Sequence, residues 1–436
     1  MSIRIHMSYA QVILRIYRQY FARFFFFRLL KSLVLFGYRL GYQAISLLRQ
    51  HPESGTYNWR ALSTVGFDIC QKKQSVLQGT VVKIPPPRFF GYAAGPVAKA
   101  TPAQTIYGPE QTVYEFSPAV AVGGIDAVIA GKQAIHHDLF QPSEHHCPAE
   151  NTGVLSQDLD GKRLQLYLLK NTLSVHRAAS LIGQCSSNYA HWLTETLPKL
   201  LILDLSAEHA EWPLLIDAGL HPNILASIEL LNKNRRKIIQ VERWQPVRLN
   251  QLRVVSAPGY ERYVTQNLYA TEPTAYRNVF SYEALELLRT SVAEAMRATG
   301  RPGAGRVYLA RSSKSGNLRR LENAVEIEET LRGHHIVPIF PESVSFQQQV
   351  KACLNAELIV APIGAALANM IFAPRGCKVV VLAPYYDRAN YHFFTNLAGF
   401  LGHKLSIVLG TQSGSIKQPS QGCYSIELED LLEALT

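Results

Sequence analysis

The stretch AELIVAPIGAALANMIFAP, residues 356–374, contains the signals that decide the fold. Its first half is a short apolar run bounded by turn residues, which predicts a buried strand. Pro362, Gly364 and Ala365 then form a small-residue turn, and the pattern that follows predicts a helix that carries Asn369. Such a turn lets a phosphate approach the main chain at a helix N-terminus. The alternative is a tight connection that needs small residues only for packing.

The same alternation of buried strand and helix recurs through the second half of the chain. Apolar runs separated by helix-length segments read WPLLID, RKIIQV, LRVVSA, RVYLA, HHIVPIF, CKVVVLAP and LSIVLG. This pattern predicts an α/β fold with an open parallel sheet covered by helices on both faces. Earlier runs such as TVYEF and LQLYLLK predict a mixed or antiparallel sheet, and KIPPPRFFGYAAG, residues 83–95, predicts a loop or linker before it.

Length and turn signals divide the 436 residues into three parts. We expect a basic amphipathic helical segment at 1–52 and an acceptor-side domain at 53–300 that is β-rich and then α/β. A second α/β domain at 301–436 follows the glycine-rich TGRPGAGR and ends in a closing helix at 425–435. Two α/β units that face each other place ligands in the cleft between them.

Composition and charge exclude several classes of protein. The hydrophobic fraction of 47% and the charged fraction of 18% are those of a globular chain. Eight of the basic residues precede the first acidic residue, Glu53, so of the net charge of +11 only about +3 belongs to the body of the protein. No basic run with interleaved aromatics follows, so we expect no nucleic-acid partner. The six cysteines lack CxxC or zinc spacing and are expected to be free thiols.

The first fifty residues are both apolar and basic. Between residues 11 and 50 no run reaches the roughly eighteen uncharged residues that a transmembrane helix needs. We expect amphipathic helices at a membrane surface, and hence a cytoplasmic protein peripheral to the inner face of the plasma membrane. The alternative is a helical extension that packs on the protein itself or on a second subunit, so an oligomer is also compatible with the sequence.

A basic loop follows the predicted strand RVYLA. It supplies Arg311, Lys314, Arg319 and Arg320. Guanidinium groups suit phosphate oxygens and the charge that develops on a leaving nucleotide, so the loop is a candidate diphosphate-binding site. A solvated basic loop is the alternative.

A helix further upstream carries candidate catalytic groups. In SSNYAHWLTETLPKL, residues 186–200, His191 and Glu195 stand four positions apart and share one helical face. A carboxylate beside an imidazole fixes its tautomer and raises its basicity, which suits a general base. An ordinary surface or core His–Glu pair is the alternative. Ser187 or Asn188 is expected to cap the helix.

Three separated blocks resemble, in order and spacing, the pattern of glycosyltransferase family 61. The blocks are NYAHWLTETLPKL, YLARSSKSGNLRRLEN and FPESVSFQQQVKACLNAELIVAPIGAALANMIFAP. The resemblance implies an inverting transferase of GT-B architecture, with two Rossmann-like domains that face a cleft. It also implies a nucleotide-sugar donor and a glycan or lipid-linked acceptor. Bacterial members look like enzymes of capsule, exopolysaccharide or lipopolysaccharide assembly.

The resemblance further implies roles for individual residues. On the acceptor side it places Asn188 and Trp192, with His191 as general base beside Glu195. Donor contacts are expected from one larger set: Arg311, Lys314, Arg319, Arg320, Glu342, Ser345, Gln349, Gly364, Ala365 and Asn369.

The implied mechanism is a direct displacement at the anomeric carbon, in which arginines and a helix N-terminus stabilise the departing diphosphate. No metal ion or other cofactor is therefore expected. Two sequence features that resemble metal sites are interpreted otherwise. The DLD triplet at 158–160 predicts a turn. Adjacent histidines point apart on a strand and predict a polar loop, which applies to His136, His137, His145 and His146, next to Cys147.

Two positions depart from the family pattern. Ile363 stands where a histidine usually precedes the Gly-Ala of the turn, and Ala324 follows Asn323 where an acid is common. The first departure motivates an alternative function, that of a non-catalytic glycosyltransferase-like subunit that binds glycan or partner proteins. A nucleotide-sugar epimerase would need a catalytic set that the sequence does not contain.

Overall fold

The computed structural model describes most of the chain. The described residues are 37, 41, 44–45, 51–140, 155–157, 162–206, 211–261, 278–297, 305–312, 319–386, 389, 391–413 and 421–436. Most of the predicted helical segment 1–52, the loop residue Lys314 and the triplet at 158–160 lie outside them.

The strands of the described residues are numbered here in chain order. They are β1 (Gly55–Ala61), β2 (Cys70–Leu77), β3 (Thr80–Ile84), β4 (Arg88–Phe90), β5 (Gln104–Gly108), β6 (Gln111–Phe116), β7 (Ala119–Val122), β8 (Val128–Ala130), β9 (Gln133–His136), β10 (Leu155–Gln157), β11 (Arg163–Leu166), β12 (Leu173–Ser180), β13 (Leu214–Asp217), β14 (Ile238–Val241), β15 (Pro246–Val255), β16 (Gly259–Glu261), β17 (Asn278–Phe280), β18 (Arg306–Leu309), β19 (Val337–Ile339), β20 (Leu358–Pro362), β21 (Lys378–Pro384), β22 (Lys404–Gln412) and β23 (Tyr424–Ser425).

Helices separate the later strands. The α-helices are α1 (Ala94–Ala100), α2 (Tyr189–His191), α3 (Leu197–Leu205), α4 (Pro222–Leu231), α5 (Tyr282–Arg297), α6 (Ala324–Gly333), α7 (Phe346–Leu354), α8 (His392–Leu401) and α9 (Leu428–Leu435). A π-helical turn, Trp192–Thr196, joins α2 to α3, and 3-10 helices span Leu62–Thr64, Pro341–Ser343 and Ala365–Phe372.

A mixed sheet of twelve strands occupies the first part of the chain. Its path runs β10-β11-β1-β9-β8-β7-β15-β12-β13-β14, and β6 pairs with both β15 and β2. β12, β13, β14 and β15 are parallel where they pair, whereas β15 is antiparallel to β6 and β7. The sheet is therefore mixed: on one side β1 and β9 pair in parallel among antiparallel neighbours, and the strands that approach the helix of His191 are parallel.

A second sheet is built from the later strands. Its order is β19-β18-β20-β21-β22-β23, and β4 joins it beside β22. All the pairs are parallel except that of β22 with β23. Two short antiparallel ribbons, β3 with β5 and β16 with β17, complete the pairing.

One hydrophobic cluster joins the two sheets through the helices. It contains fully buried residues of both sheets and of α3, α5 and α8, among them Leu181, Leu200, Leu288, Ile359 and Leu397. A second cluster covers the other face of the second sheet, where α6 and α9 pack. Burying both faces explains why the strands of this sheet are continuous apolar runs without alternation.

The predicted α/β class, the covered parallel sheet and the closing helix, which spans 428–435, are confirmed. Among the described helices, none has the length and apolarity required to cross a bilayer. The GT-B arrangement and the domain boundaries at 52 and 300 stay predictions.

One prediction was wrong. The segment at 83–95 is not simply a linker, because β4 lies within it and pairs in parallel with β22 of the second sheet, with Phe89 opposite Ile407. The three prolines before β4 produced the error, since proline is tolerated just ahead of a strand at a sheet edge.

Candidate active site

The helix that carries His191 begins at a side-chain cap. The Oδ1 atom of Asn188 accepts a hydrogen bond from the Ala190 N–H at 3.0 Å. The cap was predicted, and it gives Asn188 a structural role at the helix start. After His191 the backbone widens into the π-helical turn, a geometry that is frequent at functional sites.

Trp192 belongs to the core. Its side chain is 0% exposed, and its Nε1–H donates to Ser227 Oγ at 2.9 Å. A fully buried ring cannot meet an acceptor, so the structure differs here from the predicted acceptor contact.

Two carboxylates hold His191, one on each ring nitrogen. Glu195 Oε1 lies 2.8 Å from Nδ1, which confirms the predicted contact within the helix, and Glu261 Oε2 lies 3.3 Å from Nε2. The Glu261 N–H also donates to Glu195 Oε1 at 3.0 Å. The three side chains therefore form one cluster, which we call the His–Glu–Glu cluster.

The His–Glu–Glu cluster keeps the imidazole protonated. Burial opposes the charged form of His191, but the charge of Glu195 and the hydrogen bonds to both carboxylates raise its pKa to about 10. At neutral pH the ring is therefore a cation with both N–H groups donating, and it has no free lone pair to accept a proton. The exposed fraction of the side chain rises from 4% in His191 to 15% in Glu195 and 28% in Glu261. Glu261 is the member that an acceptor can reach.

Sequence reasoning missed Glu261. It ends the three-residue strand β16, 66 positions after Glu195, and no spacing rule links the two. The weak signal was its place at the end of the short run PGYE, which follows a buried strand.

Aromatic rings from the second half of the chain border the cluster. The ring centroid of Phe393 lies 6.0 Å from that of His191 and 5.4 Å from that of Phe280. Apolar walls lower the local dielectric and strengthen the ion pairs of the cluster.

Two arginines meet at the turn after β20. Arg311 and Arg319 both donate to the carbonyl oxygen of Ile363, at 2.8 and 2.7 Å. Arg311 also donates to the Arg319 carbonyl at 2.9 Å. Burial and the neighbouring Arg311 lower the pKa of Arg319. Two like charges on one carbonyl form a site that favours an anion, and we call it the arginine pair.

Gly364 makes room for the arginine pair. A Cβ atom at this position would collide with Nη2 of Arg311. The small-residue turn therefore serves the placement of a cation as well as packing. Ala365, the next residue, is exposed and opens the predicted helix that carries Asn369, which is of the 3-10 type.

Hydrogen bonds link the turn to the helix of His191. Tyr189 Oη donates to Asn369 Oδ1 at 2.8 Å, and Asn369 Nδ2 donates to Gln349 Oε1 at 3.0 Å. Gln349 donates onward to the Pro341 carbonyl at 2.9 Å. Asn369 is 0% exposed and Gln349 2% exposed. Both were predicted as donor contacts, but their burial gives them the role of positioning the two halves of the site.

Three further predicted donor residues, Ser345, Glu342 and Arg320, lie at the surface, and Lys314 is outside the described residues. Ser345 caps α7 in a capping box with Gln348, so its hydroxyl serves the helix. Glu342 is exposed in its 3-10 turn, and Arg320 is exposed while its carbonyl accepts from Tyr424 N–H at 2.9 Å. The contacts described for these residues do not bring them to the arginine pair.

Another cluster of ionisable groups lies near β9. Ligand atoms of Asp126, His136 and His137 all lie within 4.8 Å of one another, and the two histidine rings are 4.3 Å apart. The adjacent histidines do not point apart as predicted, because His136 ends β9 and strand alternation stops there. Lys199 lines the same cavity of about 20 Å³, and its ammonium group opposes a bound cation. The predicted partners His145, His146 and Cys147 lie outside the described residues.

A comparison with known protein families matches the part of the chain that carries this site. Residues 189–380 match the family model of glycosyltransferase 61. This match supports a glycosyltransferase. It covers less than half of the chain, but it includes the His–Glu–Glu cluster, the arginine pair and the turn at Gly364. A comparison with curated proteins finds no match.

Proposed function

We propose that the protein is an inverting glycosyltransferase that transfers a sugar from a nucleotide-sugar donor to a glycan or lipid-linked acceptor. The proposed context is the assembly of a bacterial surface polysaccharide such as capsule, exopolysaccharide or lipopolysaccharide. In this proposal the enzyme is of GT-B type and works without a metal ion at the cytoplasmic face of the plasma membrane.

The observation that carries the proposal is the pairing of two opposite sites. The arginine pair presents positive charge at the carboxyl end of β20, and the His–Glu–Glu cluster presents the accessible carboxylate of Glu261, which β16 holds beside the helix of His191. The Tyr189–Asn369 hydrogen bond connects the elements that carry them. A diphosphate leaving group needs the first site, and a hydroxyl nucleophile needs the second.

The donor diphosphate occupies the arginine pair in this mechanism. As the bond between the anomeric carbon and the phosphate oxygen breaks, the electron pair leaves with the nucleoside diphosphate. Charge therefore grows on the oxygens next to Arg311 and Arg319, where fixed guanidinium groups stabilise it without reorganisation. The 3-10 helix that begins at Ala365 presents main-chain N–H groups at the same turn.

Glu261 takes the proton of the acceptor hydroxyl in this proposal. The His191 imidazolium cannot do so, because both of its ring nitrogens already carry a proton. As the hydroxyl oxygen bonds to the anomeric carbon, its proton passes to the Glu261 carboxylate. His191 fixes that carboxylate through Nε2–H, and Glu195 fixes His191 through Nδ1. His191 and Glu195 are thus positioning residues, and the sequence-based assignment of His191 as base is replaced.

Calorimetric titration with UDP, GDP and CMP, each with and without a divalent cation, tests the donor site. We expect one nucleotide to bind without metal and to bind about tenfold to a hundredfold more weakly in Arg319→Ala. Arg332→Ala, which removes an exposed arginine of α6, is the matched control and should bind as the wild type does. If the nucleotide binds equally well to the wild type, Arg319→Ala and Arg332→Ala, the arginine pair is not the donor site.

The rate at which the nucleoside diphosphate is released from the matching nucleotide sugar tests whether Glu261 is the base. Glu261→Gln keeps the size of the side chain and should lower kcat by about 10²- to 10⁴-fold. Glu294→Gln, at an exposed position of α5, serves as the control. Full activity of Glu261→Gln contradicts the assignment.

A non-catalytic subunit is the second candidate, and one observation favours it. Both arginines already donate to the Ile363 carbonyl, at the position where the family usually has a histidine. Absence of binding by all three nucleotides would favour this candidate over the enzyme.

A further inference from the structure

The edge of the second sheet opposite the arginine pair carries a row of cations. Arg306, Lys378 and Lys404 are the first residues of β18, β21 and β22, and the register places them in one line through Leu358 of β20. Arg88 opens the next strand, β4, opposite Ser406. Because these strands are parallel, the row lies at their amino ends, whereas the arginine pair lies beyond their carboxyl ends.

A cavity of about 670 Å³ runs along this row, which we call the basic cleft. Its volume is in the range of about 300–1,000 Å³ that is usual for small-molecule sites. All four cations line it, and the run Pro85, Pro86 and Pro87 forms a stiff wall. The cleft is therefore large enough to hold an organic ligand.

The cations of the basic cleft have no carboxylate partner among the described residues, although Arg306 donates to the His334 carbonyl at 3.0 Å and Arg88 lies over the Phe90 ring. Among the described residues, no carboxylate lies within ion-pair distance of Arg88, Arg306, Lys378 or Lys404, although the exposed Glu357 also lines the cavity. Burial and repulsion from the other three cations lower the pKa of Lys378. Like charges opposite each other on neighbouring strands are destabilising, so the fold carries a cost that a bound anion would remove.

A buried histidine lines the same cavity. His403 is 4% exposed, and its Nε2 lies 2.9 Å from the Met370 carbonyl. Its Nδ1 atom is buried and has no hydrogen-bond partner among the described residues. Since Nε2 donates to the carbonyl, Nδ1 is an unpaired acceptor on a residue that lines the cavity.

We propose that the basic cleft is a second binding site, separate from the donor site, for a small molecule that carries a phosphate or diphosphate group. Three or four cations in line match a group with two or more negative charges, and the proline wall and Leu405 offer apolar surface to the rest of the ligand. The same chemistry can come from a soluble phosphate ester or from the headgroup of a phospholipid. The site does not depend on the proposed function.

Pyrophosphate is the probe that tests this site in the full-length protein. The titration is made in Arg319→Ala, so that the arginine pair does not contribute, and is compared with the same protein that also carries Lys378→Gln and Lys404→Gln. We expect pyrophosphate to bind the first protein at least tenfold more tightly than the second. Replacing Arg332 by Gln in place of the two lysines removes an exposed cation elsewhere and should leave the affinity unchanged.

Vesicle binding separates the two sources of phosphate. Vesicles of phosphatidylglycerol, compared with phosphatidylcholine, are offered to the same proteins. Vesicle binding that falls with the lysine replacements while pyrophosphate binds weakly identifies a lipid headgroup, and the reverse identifies a soluble ester. If neither ligand distinguishes the protein with the lysines from the protein without them, the proposal is overturned.

A melting curve shows whether the lysine variant is folded. Because the replacements remove mutual repulsion, we expect the melting temperature of the lysine variant without ligand to equal or exceed that of its parent. Pyrophosphate should raise the melting temperature of the parent alone. If pyrophosphate raises the melting temperature of the lysine variant as much as that of its parent, the ligand does not bind in the basic cleft. Arg306→Gln provides a second variant with the same expected loss of binding.

Discussion

The pH dependence of the transfer reaction distinguishes Glu261 from His191 as the base. The two residues lie 3.3 Å apart in one cluster, so removing either of them damages the site and a simple loss of activity is ambiguous. A change of pH alters their protonation without removing either side chain. The raised pKa of His191 makes the two assignments predict opposite profiles.

The expected change in kcat/KM follows from the difference between the assay pH and the pKa of His191. With a pKa of about 10, only about one protein molecule in a thousand holds a neutral imidazole at pH 7. If neutral His191 were the base, kcat/KM would increase about tenfold per pH unit, and so about a hundredfold between pH 7 and pH 9. If Glu261 is the base and the His191 cation positions it, the rate stays flat over this interval and falls only above about pH 10.

The assay follows release of the nucleoside diphosphate in initial-rate measurements between pH 5 and pH 10.5 at constant ionic strength. Glu195→Gln provides the internal comparison, because removing one carboxylate lowers the pKa of His191 and moves the alkaline fall to lower pH. A histidine-labelled NMR titration of the wild type and His191→Gln locates the same pKa without any substrate. A linear rise of log kcat/KM with unit slope from pH 7 to pH 9 would refute the assignment of Glu261.

The same pKa gives a stability profile. The pKa of His191 is raised from 6.5 in the unfolded chain to about 10 in the fold. Its contribution to stability is therefore complete below about pH 6.5, declines as the pH rises, and is lost once the pH passes about 10. We expect the melting-temperature difference between the wild type and His191→Gln to shrink across this window.

Three further outcomes are expected. Gly364→Ala should displace the Arg311 guanidinium and weaken nucleotide binding about tenfold by calorimetry, and unchanged affinity would show that the close approach is irrelevant. Asn369→Ala leaves Tyr189 Oη without its partner and should cost roughly 1–3 kcal/mol in urea unfolding, while a cost near zero would show that the hydrogen-bond chain is dispensable. Transfer activity should survive exhaustive treatment with EDTA, and a loss that added metal restores would implicate the cluster at His137.

Apolar runs made most of the second sheet predictable. β20, β21 and β22 are buried on both faces, so their sequences are uninterrupted apolar segments that a strand pattern identifies without knowledge of the fold. The short strand β4 could not be found in this way. Its three residues follow a run of prolines, and pairing with a distant strand supplies the hydrogen bonds that make it a strand.

The candidate site was predictable only where its contacts are local. His191 and Glu195 share a helix, so their contact follows from helical spacing, and the structure shows it at 2.8 Å. Glu261 reaches His191 through the packing of β16 against the π-helical turn, and sequence spacing contains no information on that packing. The raised pKa of His191 comes first from the local carboxylate of Glu195 and then from Glu261. The sequence revealed the first of these neighbours but not the second, which occupies the other ring nitrogen.

Ile363 bears on whether the donor site works. The group that holds Arg311 and Arg319 at the turn is the main-chain carbonyl of this residue, which every side chain provides equally. The isoleucine side chain itself is half-buried against the core that joins the sheets. A histidine there would add a donor toward the phosphates without being needed to place the arginines. The substitution therefore removes one contact to the leaving group while the arginine pair stays in place. Under the proposed function the base is Glu261, which lies on a different strand, so we expect this departure to bear on donor affinity or choice and not on proton transfer.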